Sequence, residues 1–336
     1  MVQSPPPKTA LVTIAKDEGP YIWEWVAHHK AIGFDEIIMF QNDSTDGTGE
    51  ILNLLQDHGE IQYLYNHAPK GKHQVRAYKR ASRQQSFLKA DWVMALDLDE
   101  FLTIKHGAGT LNDFWKVYSD FDCVFVNWKL FGSSGASSLS NNLVTQRFQL
   151  SEHDHWIERF PQAYKSFYKR EMFGRPGIHK PPTLDITDPS IKITNSSALP
   201  RDEFTIRNFQ CTDSKQRQYA QINHYIIKDA QSFVLKNMKG SAHQAARNIG
   251  YKYWKMRNKN QTVDTAISRT TPRLHQEMLR LDNLTNGKLS ELTQEARVQH
   301  SNAFARALQT DEGMALYRFC IDNPYIKKPI SPLRLL

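Results

Sequence analysis

Three acidic side chains crowd into the stretch VMALDLDEF, where Asp97, Asp99 and Glu100 follow the apolar run that begins at Val93. Two like-charged carboxylates held close together need a cation or a proton between them. In a strictly extended segment, residues 97 and 99 point to the same side and Leu98 turns away. Oxygen ligands of this kind suit hard divalent ions such as Mg²⁺ or Mn²⁺, which often leave positions open for substrate phosphates. The competing reading is a polar strand exit whose carboxylates pair with Lys105 and nearby arginines, because structural ion networks gather acids too. Spacing alone does not choose between the two.

Position does. TALVTIA (9–15) is a continuous β-prone run of the kind that fills the centre of a parallel sheet, and it stops at Lys16, Asp17 and Glu18. Gly19-Pro20 opens a helix with Ile22, Trp25, Val26, His29 and Ile32 on one face, and Gly33 ends it. EIIMF predicts a second strand, followed by the polar turn QNDSTDGT, in which Asp46 can cap the helix carrying Ile51 and Leu55. IQYLYN reads as a third strand, 74–89 as a basic helix, and WVMAL as a fourth strand ending at the acidic cluster. This β-α-β-α-β-α-β order predicts an α/β fold with a mostly parallel sheet, whose ligands gather beyond the carboxyl ends of the strands. The charged or amide ends at 16–18, 41–46 and 97–100 are expected to converge on one edge.

Further on, CVFVNWKLFGSSG (123–135) predicts a strand running into a Gly/Ser turn, AYKSFYK another strand, 174–203 a loop and AQINHYII (220–227) a late strand. From 230 the chain is helical in composition and rich in Lys and Arg, with a break at Pro272. The expected division is therefore 8–229 and a basic helical region, 230–336.

In the 336 residues, 40% are hydrophobic and 23% charged, which is ordinary for a globular protein. The formal net charge of +8 permits attraction to phosphates, anionic lipids or nucleic acid without selecting among them. Cys123, Cys211 and Cys320 are far apart and lack CxxC spacing, which argues against a disulfide framework or structural zinc. MVQSPPPK has no signal-peptide pattern, and no apolar stretch of about 18 or more residues suggests a membrane span. The expected location is cytoplasmic, with peripheral contact at the membrane inner face left open.

The ordered series IAKDEGPYIWEWVAHHKAIGFDEIIMFQNDSTDGT, then WVMALDLDEF, NWKLFGSSG and INHYIIK, resembles glycosyltransferase family 2 and, more closely, its relatives around family 92. The resemblance runs in patches over about residues 8–240. It implies a GT-A type fold, a doubly wound nucleotide-binding sheet merged with an acceptor-binding region, with a helical C-terminal appendage here. It also implies a metal-dependent glycosyltransferase of polysaccharide biosynthesis type. In such enzymes the DxD pair holds Mn²⁺ or Mg²⁺ against the diphosphate of a nucleotide-sugar donor, and transfer is to a glycan or lipid-linked acceptor. Asp97 would lie near the ribose and the metal, Asp99 would be the firmer metal ligand, and His224 would supply a third. Lys16 and Glu18 occupy the family's opening block, although Asp17 stands where asparagine is common. Gln41-Asn42 replaces the two aspartates many family 2 members carry after the second strand, so recognition of the base would use Asn42 or shift to Asp43, with Asp46 in the same turn. Gln74 has a counterpart in the related family, and its amide can fix a nucleobase or ribose.

Outside the resemblance, Arg76 and Arg80 read either as phosphate contacts or as a solvated helix face. Trp128, Gly132, Ser133 and Ser134 suit a sugar, because an aromatic face covers the apolar side of a ring and small residues let the backbone approach; core packing and a simple turn are the alternatives. Inverting transfer needs a base within reach of the acceptor hydroxyl, and Asp154 and Asp185 are the candidates, with Glu152 and His179 beside them. YKYWKMRNK (251–259) interleaves aromatics and cations, as stacking on nucleic acid or lying on a membrane would need, or as a helix packing its aromatics inward would show. Two rivals follow. A nucleotidyltransferase would carry a Gly-rich, Lys-bearing phosphate loop after the first strand, and IAKDEGPYI has one glycine there. A nucleic-acid-binding protein with a structural acidic cluster would bind RNA or DNA with steep salt dependence; no nucleic-acid partner is expected.

Overall fold

Alternation along the first strands sets the layers. In β1 (Thr9–Ala15) Leu11 and Ala15 join one buried cluster while Ala10 and Val12 join another, and β2 (Glu36–Gln41) divides in the same way between Ile37 and Met39 on one side and Ile38 and Phe40 on the other. One face is covered by α1 (Gly19–Ile32) through Ile22, Trp25 and Val26, and by α2 (Thr48–Asp57) through Ile51, Leu52 and Leu55. The other is covered by α3 (His73–Ala81) through Ala77, Tyr78 and Ala81. Each such fully buried aliphatic or aromatic side chain contributes roughly 1.5–3 kcal/mol. A computed structural model describes residues 5–69, 71–153, 163–207, 210–212, 217–239 and 250–324.

The remaining strands of the main sheet are β3 (Gln62–Tyr65), β4 (Trp92–Ala95), β5 (Glu100–Ile104), β6 (Cys123–Leu130), β7 (Tyr164–Lys169), β8 (Ile193–Asn195) and β9 (Ala220–His224). Their order is β3-β2-β1-β4-β7-β6-β9-β5, with β8 alongside β6. Strands β3, β2, β1 and β4 pair in parallel, β7 runs antiparallel to β4 and β6, and β5 runs antiparallel to β9. This is the doubly wound, mostly parallel α/β architecture that the sequence and the GT-A resemblance predict. The carboxyl ends of β1, β2, β3 and β4 share one edge, as parallel pairing requires.

Two parts differ from the sequence expectation. DLDEF is not an extended strand exit: Glu100 N donates to Asp97 O at 3.0 Å, closing a turn, and the chain reverses into β5. The extended geometry expected for Asp97 to Asp99 therefore does not hold. The 174–203 loop, in turn, contains β8.

β5 ends the sheet, and its outer edge is closed by α1 instead of by another strand. Trp25 Nε1 donates to Glu100 O at 2.9 Å, His28 Nε2 lies 2.9 Å from Leu102 O, and Leu102 N donates to His29 Nε2 at 3.4 Å. Side chains thus satisfy edge groups that would otherwise be buried unpaired or open to a foreign strand.

Beyond α4 (Leu111–Tyr118), the helical region after 230 comprises α5 (Ala230–Lys239), α6 (Tyr251–Arg257), α7 (Thr271–Leu284, with Pro272 in its first turn), α8 (Lys288–Ala307) and α9 (Asp311–Asp322). Leu274 and Leu281 of α7 and Leu289 and Ala296 of α8 join the same core cluster as α1 and α2. Gly19 is the tight point of that seam, since a Cβ there would come within 2.7 Å of Ala296 Cβ. Phe233, Trp254, Leu316 and Cys320 bind α5, α6 and α9 into a separate cluster. In YKYWKMRNK, Trp254 is buried while Lys252 and Lys255 are exposed, the pattern of a packed helix face. No described helix is long and apolar enough to cross a membrane.

Candidate active site

The strand-end loops are tied to each other before any ligand is considered. After β1, Asp17 adopts a left-handed backbone (φ 51°) and its Oδ1 accepts from Thr45 N at 2.7 Å, while Glu18 N donates to Thr48 Oγ1 at 3.0 Å. Asp46, expected as a helix cap, does more: Oδ1 accepts from Thr48 N and Thr48 Oγ1, and Oδ2 accepts from Gly19 N at 3.0 Å, so one buried carboxylate holds the starts of both α1 and α2. A carboxylate at a helix N-terminus is favoured by the helix dipole. Asp43 (φ 47°) accepts from Tyr65 Oη at 2.6 Å, which holds its carboxyl below the usual range. Asn42 is buried and Lys16 exposed at this edge.

The DxD turn comes next to them. Asp97 Oδ1 accepts from Gln74 Nε2 at 2.9 Å, and Oδ2 from Lys165 Nζ at 3.1 Å. Lys165 projects from β7 with its side chain 1% exposed and also lies 3.3 Å from Glu100 Oε2. Burial opposes ionisation of Asp97, but Lys165 outweighs it and the carboxyl stays below its ordinary value. Glu100 is the reverse case: burial dominates and drives its carboxyl well above the ordinary range, against the pull of Lys165. Its Oε2 accepts from Asp97 N at 3.0 Å, which braces the turn from inside.

Asp99 is reached from the other side. The β5–β9 register sets His224 opposite Glu100, and Tyr225 N donates to Asp99 O at 2.8 Å. That brings His224 Nε2 to 3.4 Å from Asp99 Oδ1. Lys236 of α5 donates to Asp99 Oδ2 at 2.9 Å. Burial resists the charge on Asp99, yet Lys236 above all keeps the carboxyl well below the usual range. Burial lowers the His224 pKa, leaving a neutral imidazole. Its ring packs edge-on to Trp128 at 4.3 Å, and Trp128 lies 5.5 Å from the ring of His179.

The polar atoms left over point to a ligand. Among the described residues, His224 Nδ1, Trp128 Nε1 and Glu100 Oε1 are buried with no hydrogen-bond partner. Groups of this kind are rare in folded proteins unless something else satisfies them. Asp97, Asp99 and His224 offer the oxygen and imidazole donors a Mn²⁺ or Mg²⁺ ion accepts, and Asp99 Oδ1 and His224 Nε2 already face each other at a span two ligands of one ion can bridge. Lys165 and Lys236 stand on the other oxygens, and the described residues contain no ready-made group of three His, Cys, Asp or Glu ligands. The donor types suit a divalent ion, while in this arrangement lysines hold one oxygen of each aspartate.

The remaining predicted residues are more scattered. Ser133 is buried in the Gly/Ser turn, with Ser133 N donating to Asn258 Oδ1 at 2.7 Å, and Gly132 is packed so closely on Asn260 that a Cβ would meet its Oδ1 at 2.4 Å. Arg76 is exposed, whereas Arg80 donates to Tyr65 O. Asp185 lies in an exposed loop, where its Oδ1 accepts from Thr187 N at 2.8 Å and Thr187 Oγ1 at 2.7 Å. Asp154 lies outside the described residues. Glu152 is buried against Arg217 at 2.9 Å. Sequence reasoning missed Lys165, Lys228 and Lys236. Lys165 carried no distinct signal, since its strand, YKSFYK, also holds Ser166 and Lys169.

Comparison with known proteins adds a family. The model for glycosyltransferase family 92 matches residues 15–257. A family 92 protein of rice, Oryza sativa subsp. japonica, is 28% identical over 111 residues, which cover 32% of this chain and 18% of the rice protein. The chain therefore spans under a fifth of that relative's length. Among solved structures, S. aureus TarS 1–349 overlaps 97% of this chain and 94% of its own at 12% identity and a TM-score of 0.36. The same protein in complex with UDP overlaps 49% and 48% at 16% identity and 0.32. Glucosyl-3-phosphoglycerate synthase from Mycobacterium tuberculosis, in complex with Mn²⁺, UDP and phosphoglyceric acid, overlaps 36% and 43% at 17% identity and 0.25.

Proposed function

Because the chain belongs to glycosyltransferase family 92, we propose that it moves a sugar from a nucleotide diphosphate donor to an acceptor hydroxyl, with inversion at the anomeric carbon. The observation that supports this is the contact of Asp99 with His224, 3.4 Å from Oδ1 to Nε2, set by the β5–β9 register in the turn that follows β4 and carries Asp97. Such strand ends are where α/β sheets bind ligands.

In this reading Asp97, Asp99 and His224 hold Mn²⁺ or Mg²⁺. The bound ion supplies positive charge to the diphosphate as it departs. Lys165 and Gln74 fix the Asp97 carboxylate from two directions, and Glu100 braces the turn by accepting from Asp97 N. Preorganised charge of this kind needs no rearrangement during the reaction. Lys16, Glu18, Asn42, Asp43, Asp46 and Gln74 frame the nucleotide on the β1–β3 side, with Asp46 acting through the loops it ties together. Trp128 offers the sugar a ring face and an unused N–H, and Ser133 shapes the turn beside it. Asp154 and Asp185 are the candidates for removing the acceptor proton. His179 is a further one, because its ring lies near Trp128.

The division into a catalytic unit, 8–229, and a helical basic region, 230–336, belongs to this proposal, with α7 and α8 bracing α1 and α2. So do a glycan or lipid-linked acceptor, a role in polysaccharide biosynthesis, a cytoplasmic site of action and peripheral membrane contact. The test is transfer from a panel of sugar nucleotides by wild type, Asp97→Asn and Asp99→Asn. Loss of a key ligand removes several kcal/mol of transition-state stabilisation, so Asp99→Asn is expected to fall roughly a thousandfold. Transfer near the wild-type rate in that variant rules the mechanism out.

A further inference from the structure

Lys236 and Lys165 both sit on the DxD carboxylates, yet they are built differently. The Lys165 side chain is 1% exposed and sealed inside the sheet, whereas that of Lys236 is 33% exposed and lies at the mouth of the site. Lys236 Nζ has a second partner in Ile226 O, at 3.0 Å, so it does not depend on Asp99 alone. Close by, Lys228 holds a left-handed backbone, φ 55°, which a non-glycine residue adopts only when its surroundings impose it. Its ammonium lies 4.1 Å over the Tyr21 ring and 3.5 Å from Glu18 Oε2. Both lysines add to the positive field that keeps Asp99 ionised against its burial.

We propose that Lys236 occupies the Asp99 oxygen a divalent ion needs, and transfers to the donor's diphosphate beside Lys228 when ion and donor arrive together. This rests on the metal-dependent reading above. An ammonium and a dication cannot share one carboxylate oxygen in a partly desolvated site without strong repulsion. An ion arriving alone pushes the Lys236 ammonium off its carboxylate with only Ile226 O and solvent to receive it, and a diphosphate arriving alone meets two aspartates. Arriving together, the diphosphate receives the displaced ammonium and the ion takes Asp99. Metal and donor binding are therefore coupled, and the coupling acts equally in both directions.

The test is Mn²⁺ binding without donor, read from the electron paramagnetic resonance signal of the free ion, with folding checked by circular dichroism. Lys236→Met, which keeps the stem and removes the charge, is expected to bind Mn²⁺ at least tenfold more tightly than wild type. Lys236→Arg is expected to bind like wild type, and adding Asp99→Asn to Lys236→Met should erase the gain. In EDTA, inorganic pyrophosphate is expected to bind Lys236→Met several-fold more weakly than wild type. A Lys236→Met protein with wild-type Mn²⁺ affinity overturns the handover while leaving the metal site standing. If neither protein takes up Mn²⁺ even with uridine or guanosine diphosphate added, the metal reading fails and the handover fails with it.

Discussion

Two lysine–aspartate pairs in this molecule look alike by distance and differ in exposure. Lys236–Asp99 is 2.9 Å long with side chains 33% and 14% exposed, whereas Lys129–Asp264 is 2.6 Å long with side chains 2% and 6% exposed. Asp264 is fully occupied, accepting from Lys129 and Gln221 Nε2 on one oxygen and from Ala266 N on the other. Buried polar atoms without a partner among the described residues lie beside both pairs, Gln221 Oε1 next to Asp264 and His224 Nδ1 and Glu100 Oε1 next to Asp99, so they do not separate the two. Exposure does. A pair sealed from solvent is a strut. A pair whose lysine is a third exposed is a place for something to bind.

Substitutions on the two pairs should separate rate from stability. Asp99→Asn is expected to lower transfer roughly a thousandfold, about 4 kcal/mol in the barrier, with little change in the urea midpoint. Asp264→Asn should do the opposite. It leaves Lys129 buried without its counter-charge, which costs roughly 3–4 kcal/mol of stability by urea denaturation, while transfer by the folded fraction stays within a few-fold of wild type. If Asp264→Asn matched Asp99→Asn in rate loss at unchanged stability, the distinction drawn here would collapse.

Beneath the DxD turn, α1 supplies the next contrast. Burial lowers the His28 pKa from 6.5 to about 4, and burial together with His28 holds His29 well below its usual value. A base with a depressed folded-state pKa takes up its proton more readily when unfolded. Stability from His28 is therefore complete above about pH 6.5 and is lost as pH falls toward about 4. The expected loss is about 3 kcal/mol, read by denaturant titrations across that window, and His28→Gln should flatten the slope.

The smallest effect belongs to the rim. Glu60 is drawn down to about 2: burial opposes this, and hydrogen bonds from Arg280 and then Lys30 overcome it. Its contribution is present above about pH 4.5 and fades as pH falls toward 2. Because Arg280 is 46% exposed, Glu60→Gln should cost only about 1 kcal/mol at pH 7 and progressively less as acid is added.

The first four strands were legible because each is a β-prone run closed by charged or amide residues, and parallel pairing then forces their ends together. Asp97, Asp99 and His224 could be singled out from sequence as candidates, but not the contact between Asp99 and His224. That depends on β5, which the acidic cluster disguises: EFLTI begins inside it, and its outer edge is closed by Trp25, His28 and His29 from α1, a contact no local pattern announces. The extended reading of DLDEF failed for the same reason, since the chain must turn there to reverse into β5. Lys236 was hidden in a region that composition marked only as basic and helical, and Lys228 ends the INHYIIK block without a pattern that singles it out.

The most direct test is a thermal-shift series with uridine and guanosine diphosphate, with Mn²⁺ or with EDTA, on wild type and Asp99→Asn. Ligand at about a hundred times its dissociation constant adds about 2.7 kcal/mol to the folded state, enough to move a melting curve by degrees. The account predicts that one of the two nucleotides raises the wild-type melting temperature with Mn²⁺, and that the rise disappears in EDTA and in Asp99→Asn. A rise of equal size in EDTA, or one retained by Asp99→Asn, would contradict it.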